Sequence, residues 1–288
     1  VRLSWLASGA SGVDDEMTVW ARTGDRLRVG STAATSSGLQ AARRAWNVLA
    51  SVDPLWAVCV DREHRAGSWD VGEFMASGQG EIATAVRRLD QLGIGAARDS
   101  ALDFGCGVGR LTGALSGYFG SVTGVDIAEE MLARARTILA GAPACRLIRN
   151  DRPDLGDFPD GSFDLVYCSL VLQHMPGRLA ARYLREFVRV VRPGGAIVIV
   201  VPESHRLTPS GVVYAIAPQR LIGIVQRRLF GYPAAMQMRV LPARRVRRIV
   251  EAVGGRVVAS DPEPCVGPHW RGYRHFVTRD PARLPESG

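Results

Sequence analysis

From about residue 100 to residue 280 the chain alternates short apolar runs with amphipathic stretches of helical period. ALDF (101–104), SVTGVDI (121–127), CRLIRND (145–151), FDLVYCS (163–169) and AIVIVV (196–201) read as strands. Between them Leu111, Ala114, Leu115 and Tyr118 share one helix face, as do Met131, Ala135, Ile138 and Leu139. Leu184, Phe187, Val188 and Val191 recur at i, i+3, i+4 and i+7 before the breaker Arg192-Pro193-Gly194-Gly195. Such alternation predicts a parallel sheet covered by helices on both faces. Pro242 opens another helix, with Val246, Ile249, Val250 and Val253 on its apolar face, and Gly254-Gly255 close it. RVVAS (256–260) and YRHFVT (273–278) then supply a sixth and a seventh strand. Their link carries three prolines and no helical pattern, so the seventh strand is expected to run antiparallel. The predicted fold class is α/β: a doubly wound, seven-stranded, mostly parallel sheet with the last strand antiparallel.

Outside the sheet region the pattern changes. Residues 1–38 are rich in Ser, Thr, Gly and Ala and read as a flexible leader. Residues 39–98 read as an N-terminal helical cap, with Ala42, Ala45, Trp46 and Leu49 on one face and Ile82, Val86 and Leu89 on another. The α/β domain is expected to span 99–280, with an insertion after strand 5 at about 202–241 and a short tail at 281–288.

The chain has 288 residues, 47% hydrophobic and 22% charged, which excludes a disordered or fibrous protein. All 36 basic residues are arginine and the net charge is +8. They are scattered along the length, which favours arginine-rich coding over a nucleic-acid surface. Five separated cysteines form no metal-binding pair and fit a reducing cytoplasm, and no metal is expected. The nearest approach to a membrane span, residues 211–230, is interrupted by Pro218, Arg220, Arg227 and Arg228, so no transmembrane segment is expected.

The chemistry concentrates in ALDFGCGVGR, residues 101–110, at the carboxyl end of the first strand, the edge where open α/β sheets bind ligands. A dinucleotide fingerprint needs a small residue at position 110; here it is Arg110, and the third glycine comes one residue early. Asp103 would repel a pyrophosphate but attract an ammonium. Asp126, 21 residues after Gly105, ends the second strand where an acid can accept both ribose hydroxyls. The implied ligand has a ribose and a cationic end.

With these residues in place, the sequence resembles the class I S-adenosylmethionine-dependent methyltransferases over about residues 70–280. ALDFGCGVGRLTGAL, VTGVDIAEEMLARA, DLGDFPDGSFDLVYCSLVLQHM and VVRPGGAIVIVVP carry the likeness, in the family's order. The resemblance implies a Rossmann-like sheet and S-adenosyl-L-methionine as cofactor. Gly105, Cys106, Gly107 and Gly109 would form the turn against it, Asp103 would hold its amino-acid end, and Asp126 its ribose. Ile127 and Met131 would border the adenine, Asp151 would approach the adenine amino group beside Arg152, and Ser169 would line the methionine moiety. Arg152 stands where the family has a small residue.

His174, in LQHM just past the fourth strand, is the candidate general base, weighed against a histidine that shapes its loop. Trp69 and Phe74 are read either as a lid or as core packing. The insertion suggests a lid for an amphipathic or hydrophobic small-molecule acceptor, met at a membrane surface, against an extra helix pair or a dimer interface. The expected activity is methylation of a small molecule in the cytoplasm, at oxygen, nitrogen or carbon. Methylation of RNA or protein is the first alternative, a noncatalytic S-adenosylmethionine-binding protein the second, and a nicotinamide oxidoreductase is disfavoured by Arg110 and Asp103.

Overall fold

The structure, a computed structural model, describes residues 32–58 and 69–280. The expected leader, up to residue 31, and the tail lie outside the described residues; from Thr32 the chain is helical, seven residues earlier than the expected cap. The described residues from Thr35 onward belong to one compact unit.

Three helices come first: α1 (Thr32–Val52), α2 (Pro54–Val58) and α3 (Val71–Leu92). The Asp70 carboxylate caps α3 by accepting from the Glu73 N–H, and Gly93 ends it in a left-handed conformation. The sheet region follows as β1 (Ser100–Phe104), α4 (Arg110–Leu115), β2 (Ser121–Asp126), α5 (Glu129–Ile138), β3 (Cys145–Arg149) and β4 (Phe163–Ser169). A 3-10 turn (Leu172–His174) leads into α6 (Gly177–Val190) and β5 (Val191–His205). The insertion contributes α7 (Pro209–Ile216) and α8 (Gln219–Arg228); α9 (Ala243–Glu251), β6 (Gly255–Glu263) and β7 (Trp270–Arg279) complete the domain.

The strand order is β3-β2-β1-β4-β5-β7-β6. Pairs among β1 to β5 are parallel, and β7 pairs antiparallel with both β5 and β6. The three-proline link therefore produces the reversal expected from its lack of a crossover helix. Strand 5 is longer than the apolar run AIVIVV: Val191 already pairs with Phe163, and the Pro-Gly-Gly segment is absorbed as a register shift before Ala196 meets Leu165.

Between β1 and β4 the strand order reverses direction, and both strands are buried on both faces. One face is covered by α6, whose Phe187 and Tyr183 pack against Phe104 with ring centroids 5.0 and 4.4 Å apart. The other is covered by α3 and α4 through Ile82, Leu89, Leu111 and Leu115 against Ala101, Leu165 and Val198. This double cover fixes the carboxyl ends of β1, β2 and β4 in space. Phe187 is fully buried, and Phe187→Ala should cost roughly 3–5 kcal/mol, seen as a lower denaturant midpoint at unchanged slope.

Candidate functional site

The turn after β1 is built by left-handed backbone. Gly105, Gly107 and Gly109 have φ of 76°, 53° and 87°, a region glycine enters at no steric cost. Gly105 is also confined: a Cβ there would lie 2.3 Å from Val171, so the strand end and the loop after β4 meet through bare backbone. Gly109 serves as the N-cap of α4.

Two carboxylates face this turn. Asp126 accepts from the Gly107 N–H at 2.9 Å through one oxygen and from the Ala128 N–H at 2.8 Å through the other. Each oxygen keeps a second lone pair, the geometry needed to take two vicinal hydroxyls. Burial raises its pKa against those backbone bonds. Asp103 is 1% exposed and accepts from the Thr112 hydroxyl at 2.6 Å. Burial pushes its carboxyl up to about 7, opposed by the Thr112 bond and the Arg110 charge and reinforced by Glu81 and Asp126. Holding it ionised costs on the order of 4 kcal/mol, which a cation seated beside it would offset.

Glu81 is the residue the sequence reading overlooked. It projects from α3, takes an ion pair from Arg110 at 2.8 Å, and accepts from the hydroxyls of Ser169 at 2.8 Å and Tyr167 at 3.1 Å. Gly78 makes this approach feasible, since a Cβ there would fall 2.7 Å from the Arg110 carbonyl. The signal was available: Glu81 lies seven residues after Phe74, on the stripe of buried Phe74, Gly78, Ile82 and Ala85. A charged residue on an apolar helix face needs a partner.

Asp103, Gly105, Cys106, Gly107, Asp126, Ile127, Met131, Ser169 and His174 all line one cleft of about 1980 Å³, together with Glu81, Asn150 and Trp69. Gly109 shapes the turn without lining the cleft. Asp151 and Arg152, expected near the adenine, do not line it. Asp151 pairs with Arg149 at 3.0 Å and lines a small neighbouring pocket with Ile127, while Arg152 pairs outward with Asp154 and Asp157. The end of β3 instead presents Asn150, whose amide is fixed by the Asp154 carbonyl and the Arg152 N–H. Phe74 is fully buried against Trp69, so its part of the lid reading resolves to packing.

His174 is tied on both sides. Its Nδ1 lies 2.7 Å from the Gln237 carbonyl and so carries the proton, and its Nε2 lies 3.3 Å from the Gln173 amide nitrogen. Burial lowers its pKa to about 4, so the ring is neutral near pH 7. Just before it, Leu170 takes a left-handed backbone (φ 57°), a strained position that turns the chain from β4 into the 3-10 element.

A cleft this large exceeds the usual 300–1,000 Å³ of a single-ligand pocket and has room for two molecules. Its far half is lined by Tyr214, Met238, Val266 and Trp270, which pack as one cluster and come from the insertion, the β6–β7 link and the start of β7.

This sheet order, with its reversed last strand and its acid-bearing glycine turn, defines the class I S-adenosylmethionine-dependent methyltransferase fold. Residues 102–199 match the family model described as a methyltransferase domain. It is 37% identical over 119 residues to demethylmenaquinone methyltransferase of Staphylococcus aureus, covering 40% of this chain and 48% of that one. The chain thus spans about half the length of the curated relatives it matches. Among solved structures, a Leishmania major S-adenosylmethionine-dependent methyltransferase superposes with a TM-score of 0.59 at 15% identity, covering 92% of this chain and 90% of that one. Magnesium protoporphyrin IX methyltransferase of Synechocystis, solved with S-adenosylhomocysteine, gives 0.55 at 19% identity, covering 83% and 98%. These two likenesses establish the fold.

The residues present fit the family's cofactor, because a buried carboxyl that resists ionisation alone and a second with spare lone pairs face the same bare turn. Asp126→Ala should weaken S-adenosylhomocysteine binding on the order of tenfold to a hundredfold by calorimetry, together with a modest fall in melting temperature from the two backbone N–H groups that lose their acceptor. His174 also makes a pH prediction. Its pKa falls from 6.5 to about 4 on folding, so the unfolded chain binds more protons in that window and this contribution to stability is lost as pH drops through it. His174→Gln should therefore lose less stability than the parent between about pH 7 and about pH 4.5 in parallel denaturant titrations.

Proposed function

We propose that the protein transfers a methyl group from S-adenosyl-L-methionine to a small, largely apolar acceptor held in the far half of the cleft. The observation that carries this reading is the single cleft joining the acid-bearing glycine turn to an apolar wall of Tyr214, Met238, Val266 and Trp270. The bound cofactor supplies an electrophilic methyl on a sulfonium, with a neutral thioether as leaving group. The protein's tasks are then alignment and exclusion of water. Asp103 holds the ammonium of the cofactor's amino-acid end, Asp126 accepts the two ribose hydroxyls, and the backbone at Gly105 and Gly107 lets the ligand approach closely. Ile127 and Met131 border the base, with Asn150 as the polar group at that end.

Glu81 and Arg110 neutralise one another beside Asp103 and hold the Ser169 hydroxyl in place. His174, neutral at working pH with its lone pair at Nε2, is the proton acceptor of this reading. A conjugate acid of about pH 4 makes a weak base, which favours acceptors whose proton is already acidic, such as an enol or a phenol. The reducing cytoplasm proposed for the protein is supported by the free thiols Cys106, Cys145, Cys168 and Cys265.

The direct test is incubation with methyl-labelled cofactor and fractionated extract; label is expected in small organic-soluble metabolites, and label confined to RNA or protein would reject the acceptor assignment. A second test reads Asp103 alone. An ammonium beside it favours the carboxylate, so S-adenosylhomocysteine binding near pH 7 should release about half a proton, measured by calorimetry in buffers of different ionisation enthalpy. Asp103→Asn should abolish the release and weaken binding.

A further inference from the structure

The insertion exposes more large hydrophobic side chains than the rest of the described molecule. Of thirteen large hydrophobic residues exposed among the described residues, eight fall between residues 207 and 230. Leu207 is 94% exposed, Ile216 77% and Leu229 75%. On α8 the inward face is fixed: Ile222, Gly223 and Gln226 are buried, and the Gln226 side chain bonds the Met236 backbone at both its N–H and its carbonyl. The outward face therefore carries Leu221 and Ile224 among Arg220, Arg227 and Arg228, all exposed.

The charge is one-signed. Between Glu203 and Glu251 the sequence has no acidic residue and nine arginines. Among the described residues none of Arg220, Arg227 and Arg228 forms a salt bridge, whereas arginines such as Arg88, Arg136 and Arg189 elsewhere in the fold do. Apolar side chains interleaved with unpaired arginines on an exposed helix face match the interface of an anionic bilayer: the apolar groups enter the acyl boundary and the guanidinium groups stay at the headgroups. A nucleic acid would reward the arginines and leave the exposed Ile and Leu side chains in water. No described helix is long and apolar enough to cross a membrane, so contact is with the surface.

We propose that the outward face of α7 and α8 docks on an anionic lipid bilayer and sets the mouth of the cleft against it. Val213, Leu221 and Phe230 are more than half exposed and also line the cleft, which places the rim of the cavity on this face. An acceptor dissolved in the bilayer then enters without crossing water; that consequence rests on the methyl-transfer reading, and the docking does not.

The test is co-sedimentation of the full chain with vesicles of phosphatidylcholine alone and of phosphatidylcholine mixed with phosphatidylglycerol, with no methyl donor present. Strong binding is expected to the anionic vesicles, weakening as salt is raised, and little to the neutral ones. Arg220→Gln/Arg227→Gln/Arg228→Gln should lower anionic-vesicle affinity about a hundredfold. Ile216→Ser/Ile224→Ser/Leu229→Ser should abolish binding, and both variants should keep parental affinity for S-adenosylhomocysteine, which shows that they fold. Absence of binding to either vesicle, or binding untouched by the apolar triple variant, overturns the proposal. So does a stable dimer in size exclusion that the apolar variant dissociates, since a second copy would then cover the face. Loss of S-adenosylhomocysteine binding by the parent protein would instead strike the catalytic reading alone.

Discussion

A carboxylate buried at the end of a central strand is unfavourable unless something cationic comes to meet it, and much of the site follows from Asp103. Two groups already answer part of that need: the Thr112 hydroxyl at 2.6 Å and the Arg110 charge. Neither suffices, because Arg110 is shared with Glu81 and burial still holds the carboxyl near 7. The strand cannot swing the group outward, since β1 is clamped between β2 and β4 and covered on both faces. The fold thus stores an unmet preference for positive charge beside the glycine turn.

That electrostatic balance separates the ligand classes that a glycine-rich turn permits. A dinucleotide would bring a doubly charged pyrophosphate to a place where Asp103, Asp126 and Glu81 already stand, and the Arg110 guanidinium is paired with Glu81. A cationic nucleoside meets the same three carboxylates with the opposite sign. The ribose position is indifferent to this choice, since Asp126 accepts hydroxyls in either case; the discriminating residues are Asp103 and Arg110.

The sheet was legible because its determinants are local and periodic. FDLVYCS is bounded as β4 is, and the reversal of β7 followed from prolines in a link with no helical face. The turn was legible for the same reason, as Gly105 and Gly107 serve backbone conformations written within a few residues. Contacts formed across the fold were less accessible. Asp151 looked equivalent to Asn150 in one dimension, and only the neighbouring Arg149 and the Asp154 loop decide which of the two faces the cleft. Glu81 binds partners 29 to 88 residues away, so its role depends on how α3 lies over β4. Its place on an apolar stripe announced a buried partner without naming it.

The acceptor half obeys a different logic. Its wall is assembled from two segments that sheet formation does not require, the insertion after β5 and the β6–β7 link. They meet where Tyr214 packs 5.2 Å from Trp270, and within the insertion Gln219 bonds the Met238 backbone at both its N–H and its carbonyl. The second tether is His174, which donates to the Gln237 carbonyl and so joins the loop after β4 to the insertion. Protonating the ring would leave that bond intact, because Nδ1 already donates, but would remove the lone pair at Nε2 that receives the Gln173 amide. The low pKa therefore guards the arrangement: near pH 7 the imidazole stays neutral, in the one tautomer that serves both the insertion and the loop.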